Sequence, residues 1–168
     1  MRPTLRTGLA AAGAFAALAL SACGFTPLYA TPGVTSGLAS IEVKVPHGRL
    51  AYLIGEQLKD NLARDPGKSA SYRLEVEVIE RRYARGLNLD QTAAYYEDHA
   101  VVSYKLIEIA TGKVVKASTD PIEVSYAATD QPYAGVAAQE DAQQRAANVA
   151  GMRVRTDLSI YFAKLAEK

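Results

Sequence analysis

Arg81, Arg82 and Arg85 fall within five residues around Tyr83, the one local concentration of charge in the chain. A guanidinium presents a planar fork of donors that matches phosphate oxygens, and an aromatic ring beside it can cover an acyl chain or a sugar. The same stretch also reads as a solvated strand end balanced by Glu80, and the sequence leaves both readings open. Lys113, beside a Thr111-Gly112 turn, joins the three arginines as a candidate anion ligand on charge alone. Lys116 is weaker still, because lysines at turns are commonplace.

No other constellation points to catalysis. The chain has no Gly-x-Ser-x-Gly elbow, no Ser-x-x-Lys pair, no phosphate-cradling glycine loop and no His-Glu-x-x-His helix. His47 falls in a turn and His99 in or beside a strand, each without a second ligand nearby in sequence. Glu97 and Asp98 are adjacent, so on a strand they point to opposite faces and cannot work as an acid and base couple. One cysteine and two histidines leave no material for an internal disulfide or a multi-thiolate site. The expectation is a binding protein, not an enzyme, with no metal and no dissociable cofactor.

The elements that must position these residues belong to one domain. A chain of 168 residues, 49% hydrophobic and 22% charged, has the composition of a folded globular protein. Nineteen basic and eighteen acidic residues leave no excess to attract nucleic acid.

Residues 1–22 read as a signal peptide: Arg2 and Arg6 precede an apolar run from Leu9 to Leu20, twelve residues long and too short to span a bilayer as a helix. Leu20-Ser21-Ala22-Cys23 resembles the bacterial lipobox. That resemblance implies cleavage before Cys23, an S-diacylglycerol on its sulfur and an N-acyl group on its new amino terminus. Several acyl chains anchor stably where one binds only marginally. Gly24, in place of an aspartate, resembles the default class passed to the outer membrane. Residues 23–39, with two prolines, three glycines and no charge between Gly24 and Ser40, suit a tether.

Residues 40–168 form the body. Ile41, Val43 and Val45 alternate with Glu42 and Lys44 as in a half-buried strand, ended by Pro46-His47-Gly48. Ala51, Ile54, Leu58 and Leu62 share one helical face between Arg49 and Arg64, and Asp65-Pro66-Gly67 stops that helix. Tyr72, Leu74, Val76 and Val78 alternate with Arg73, Glu75 and Glu77 in a second strand. A hairpin follows, from Thr92 to Ala110 and from Val114 to Val124, with Pro121 marking an edge or a bulge. A long helix is expected from about Ala137 to Ala166 on Ala147, Ala150, Val154, Leu158, Tyr161 and Leu165, with Glu140 and Asp141 near its start and Lys164 near its end. The fold class is α+β: a four-stranded, mostly antiparallel or mixed sheet with two helices packed on one face, in the order β-α-β-β-β-α. The other face stays bare, and Ile79, Val101, Ile107 and Ile109 interrupt its polar register. Tyr72, Tyr95, Tyr96, Tyr104 and Tyr126 divide between the core and a contact surface.

Cys23-Gly24-Phe25-Thr26-Pro27-Leu28-Tyr29, the order of elements, and the C-terminal runs Glu140–Arg145 and Leu158–Phe162 resemble the lipopolysaccharide-assembly lipoprotein family LptE in its alphaproteobacterial form. The resemblance implies a non-enzymatic outer-membrane lipoprotein. It would plug the lumen of the β-barrel LptD, assist that barrel's assembly and help insert lipopolysaccharide into the outer leaflet through basic residues. The competing expectation is a periplasmic lipoprotein that carries a hydrophobic ligand or serves an envelope transporter as an accessory subunit.

Overall fold

The computed structural model describes residues 33–89 and 92–167, so the signal segment, Cys23, the CGFTPLY motif and Asp90 lie outside the described residues. In chain order the elements are α1 Val34–Ala39, β1 Ile41–Lys44, α2 Arg49–Leu62, β2 Tyr72–Leu87, β3 Ala93–Glu108, β4 Val114–Ala127 and α3 Pro132–Ala166. The strands lie side by side in that same order, β1 parallel to β2 and the rest antiparallel. β1 and β2 run parallel because α2 carries the chain back between them. This is the expected α+β architecture, with a mixed sheet and α2 and α3 on one face.

Period-two alternation decides which face is inner. Leu74 and Val76 on β2, Val102, Tyr104 and Leu106 on β3 and Ile122 on β4 are buried under the helices. Leu50, Ile54, Leu58 and Leu62 of α2 meet them, and α3 contributes Ala146, Ala147, Ala150, Val154, Leu158 and Phe162. Phe162, not Leu165, continues the buried stripe at its end; Leu165 is exposed. The small residues of α3 let α2 come close: a Cβ on Gly151 would sit 3.0 Å from the Cβ of Gln57. The two helices run parallel, with Arg49 3.3 Å from Glu140 at the end where both begin.

Two boundaries differ from the sequence expectation. α3 begins at Pro132, ahead of Ala137, because proline suits the first helical position, where no N–H donor is needed. Its first turn therefore carries no acid. Glu140 and Asp141 pair instead with Arg49 and Arg145, whereas Lys164 does sit in the last turn. Within the segment expected to be tether, Val34 to Ala39 is helical, since Val34 and Leu38 are four apart and bury together against α3.

The body has two poles. Thirty-five residues make α3 about 52 Å long, and the sixteen-residue strands β2 and β3 extend about as far. Gly33 lies at one pole, where its added Cβ would be 3.6 Å from that of Ala166. The β2–β3 turn and the start of α3 form the other. α2 has only fourteen residues and covers the Gly33 half, so every residue from Ile79 to Leu87 is exposed.

Candidate functional site

The pole away from Gly33 gathers the charge. Cross-strand register places Arg81 opposite His99, Tyr83 opposite Glu97 and Arg85 opposite Tyr95, all on the outer face. Arg85 Nε donates to Glu97 Oε2 at 2.8 Å, and His99 Nε2 lies 3.3 Å from the same oxygen. His99 Nδ1 is 3.5 Å from Glu123 Oε1 on β4. The rings of Tyr83 and His99 meet edge to face at 4.9 Å, and the Arg85 guanidinium sits 5.3 Å from the Tyr83 ring centre. Hydrogen bonds from Arg85 and His99 hold the Glu97 carboxyl below the usual range, and the bond to Glu97 raises Arg85 further. The Arg81 side chain makes no hydrogen bond or ion pair with any described residue. Leu87, Leu89 and Tyr95 stand exposed around this cluster.

Arg82 points the other way. On the inner face its Nη1 donates to Gln139 Oε1 at 2.9 Å and to the Tyr126 hydroxyl at 3.3 Å, with the Tyr96 ring 5.3 Å away. These bonds tie β2 and β4 to the start of α3 and line a pocket of about 260 Å³ with Pro132 and Val136. Next to them Gln143 Nε2 donates to Glu80 Oε1 at 2.8 Å. Lys113 follows the hairpin turn at the Gly33 pole, level with Tyr72 and about 30 Å along the sheet from Arg81. The geometry therefore brings Arg81 and Arg85 together, turns Arg82 to the opposite face and leaves Lys113 at the far end.

Sequence reading missed Tyr95, Glu97 and His99 as companions of the arginines, although both strands carry the signal at every second position. It separated Glu97 from Asp98 by face, and they are so separated. Asp98 is 3% exposed, and neither of its carboxylate oxygens has a hydrogen-bond partner. Burial, then the nearby Glu80 charge, pushes its pKa up, against the pull of Arg82 and His99.

The bare face is real along the rest of the sheet. Ile79 and Val101 are paired across β2 and β3 and half exposed there. Toward the Gly33 pole a shallow trough of about 450 Å³ runs between Glu75, Glu77, Ser103, Lys105, Ala117 and Thr119. Ser103 and Thr119 hydroxyls lie 3.1 Å apart in it.

Among the described residues no cluster of three or more His, Cys, Asp or Glu groups could hold a metal, and no helix is long and apolar enough to cross a membrane. A family model described as LptE, lipopolysaccharide-assembly, matches residues 38–158, from the end of α1 to near the end of the buried stripe of α3. The chain belongs to the LptE family. A Caulobacter crescentus protein described as a lipoprotein is 42% identical, with 79% of this chain and 96% of that one covered at a TM-score of 0.68. Rare lipoprotein B from Shewanella oneidensis shares the fold at 17% identity and TM-score 0.57, covering 74% and 96% of the two chains. Lipoprotein B from Nitrosomonas europaea does so at 13% and 0.56, covering 72% and 82%. No curated protein matches. Membership of the LptE family puts the chain in lipopolysaccharide assembly.

Proposed function

We propose that this LptE-family chain is an outer-membrane lipoprotein, acylated at Cys23, that plugs an LptD-type β-barrel. It assists that barrel's assembly and helps insert lipopolysaccharide into the outer leaflet without catalysing a reaction. The observation that carries this reading is the opposition of the two poles. Gly33 and the Arg81–Arg85 cluster lie at opposite ends of a body about 50 Å long. A lipid on Cys23, ten residues before Gly33, anchors the first pole within about 35 Å of the inner leaflet. The hydrocarbon core is about 30 Å thick, so an upright body in a barrel lumen presents the second pole at the level of the outer headgroups.

There Arg81 and Arg85 face phosphate as forked donors, and Tyr83, Tyr95, Leu87 and Leu89 offer apolar surface to acyl chains. Arg82 reaches the same pole from the inner face, and Lys113 serves as a separate contact near the barrel entrance. The polar trough and alternating charges of the bare sheet suit a wet lumen wall better than a greasy patch would.

Detergent extraction of the full chain tests the reading. A stable one-to-one complex with an outer-membrane barrel, and mass spectrometry finding acyl groups on Cys23, are expected. Soluble recovery with bound lipid, no barrel and an unmodified sulfur would replace the plug with the carrier reading. Changing Arg81, Arg82 and Arg85 together to alanine should weaken lipopolysaccharide binding at least tenfold and leave the barrel complex intact. The pair Arg81→Ala and Arg85→Ala should account for most of that loss.

A further inference from the structure

The two edges of the sheet are treated differently. β4 is closed by α3: Arg145 Nη2 donates to the Ser125 carbonyl at 3.1 Å and Arg153 Nη1 to the Pro121 carbonyl at 2.8 Å, while Pro121 itself has no N–H to offer. β1 closes the opposite edge only through four residues, paired with Tyr72 to Glu75. Beyond Glu75, β2 pairs with β3 alone for the rest of its length.

Backbone alternation identifies the open groups. Tyr72 donates its N–H outward to Ser40, and the Ser71 carbonyl accepts from Ile109 of the β3 side. Even-numbered residues of β2 therefore aim N–H and C=O away from β3; the Lys44–Glu75 pairing takes up the Val76 N–H, so Val78, Glu80, Arg82 and Ala84 present a ladder without a neighbour among the described residues. At Gly86 the positive φ of 62° ends the regular alternation. Alongside the ladder the outer face carries Arg81, which has no ionic partner among the described residues, and Arg85, paired with Glu97; the inner face carries Val78, Glu80 and Arg82, the last two bonded to α3, and the small Ala84.

We infer that the open edge of β2 from Val78 to Ala84 is a docking site for an extended acidic segment of another polypeptide, added to the sheet as a fifth strand. Main-chain hydrogen bonds supply the affinity in strand addition, and alternate side chains supply the selection. Acids at every second position of the incoming strand lie on the outer face beside Arg81 and Arg85, and small apolar residues between them lie beside Val78 and Ala84. The inference does not depend on lipopolysaccharide binding.

The test uses the full chain in detergent micelles and a ten-residue synthetic peptide alternating glutamate and valine. Hydrogen exchange across residues 78–84 should slow at least tenfold with saturating peptide, and a fully N-methylated isomer should have no effect. Ala84→Pro removes one outward N–H and none that β3 receives, and it should weaken binding at least tenfold. Arg81→Glu, on an exposed side chain without partners, should do the same with an unchanged melting temperature, which keeps the test open if the proline variant misfolds. Protection on β4 instead, no protection at all, or affinity indifferent to both substitutions overturns the inference. So does a sedimentation result in which a second copy of the chain closes the edge.

Discussion

The Tyr104 hydroxyl, from the second half of β3, donates to the Asp157 carboxylate of α3, whose other oxygen lies 3.0 Å from Lys116 Nζ on β4. This contact fastens the long helix to the sheet at a point where Tyr104 is 1% exposed. Burial, reinforced by the Asp157 carboxylate, pushes the phenol far above its ordinary value of 10.0. Tyr104→Phe should cost about 1.5–3 kcal/mol in urea unfolding, the range for hydrogen bonds to charged groups. In an alkaline absorbance titration Tyr104 should ionise only as the protein unfolds. A variant as stable as the parent would remove the contact from any structural role.

Asp98 makes the opposite contribution. Its folded pKa is raised above the ordinary aspartate value of 3.8, so the folded state holds its proton more tightly than the unfolded chain does. The stability this gives is present below that ordinary value and is lost as pH rises through the folded pKa. Glu80, Arg82 and His99 on the sheet act on the group without supplying a hydrogen bond to it, and Gln143 and Gln139 of α3 bond to Glu80 and Arg82 instead. Asp98→Asn should raise the urea midpoint at pH 7 and flatten the fall in stability from about pH 4 upward that the parent shows. Equal midpoints for the two proteins at both ends of that range would contradict the assignment.

How far the sequence was legible depends on the range of each signal. Alternation in Leu74, Val76 and Val78 gave β2, and the buried stripe from Ala147 to Leu158 gave α3, because both are local periodicities. Period two also implied that Arg82 faces away from Arg81 and Arg85, as it did for Glu97 and Asp98, but charge density masked it. Lys113 was grouped with the arginines because charge alone carries no information on position along a sixteen-residue strand. The helix at Val34–Ala39 was hidden by Gly33 before it, by Gly37 within it and by the absence of charge; its apolar pair makes sense only once Phe162 is beside it. Nothing local announces that Arg145 and Arg153 cap β4, or that Asp98 is buried without a partner. Those depend on where α3 lies.

Gly37 shows how closely α1 rests on α3. A Cβ there would fall 2.5 Å from Cδ1 and 2.7 Å from Cγ of Phe162. The ring has little freedom to retreat, being 4% exposed and held edge to face by Tyr72 at 5.3 Å and Tyr161 at 5.2 Å. Gly37→Ala should therefore destabilise the protein by about 1–3 kcal/mol, the usual cost of overpacking, despite alanine's better helix propensity. Limited proteolysis should cut first between residues 33 and 40 in the variant. A gain in stability would mean that α1 shifts on α3 at no cost.

The capping of β4 has a consequence for solubility. An exposed sheet edge offers unpaired backbone groups to any passing strand, and side chains or a covering helix are what prevent it. Arg145 and Arg153 occupy two carbonyls of that edge from α3, and Arg145 is itself held by Asp141 at 2.8 Å. Arg145→Ala with Arg153→Ala removes both caps, and Pro121 remains. Each arginine is exposed enough that the loss in unfolding stability should stay below about 1 kcal/mol per site. The larger effect should be on association: sedimentation velocity should find the double variant self-associating at concentrations where the parent is monodisperse. Glutamine at both positions keeps a side-chain donor for each carbonyl and should restore monodispersity, which separates capping from the loss of two positive charges. If alanine and glutamine variants both stay monodisperse, the proline and the helix alone protect the edge.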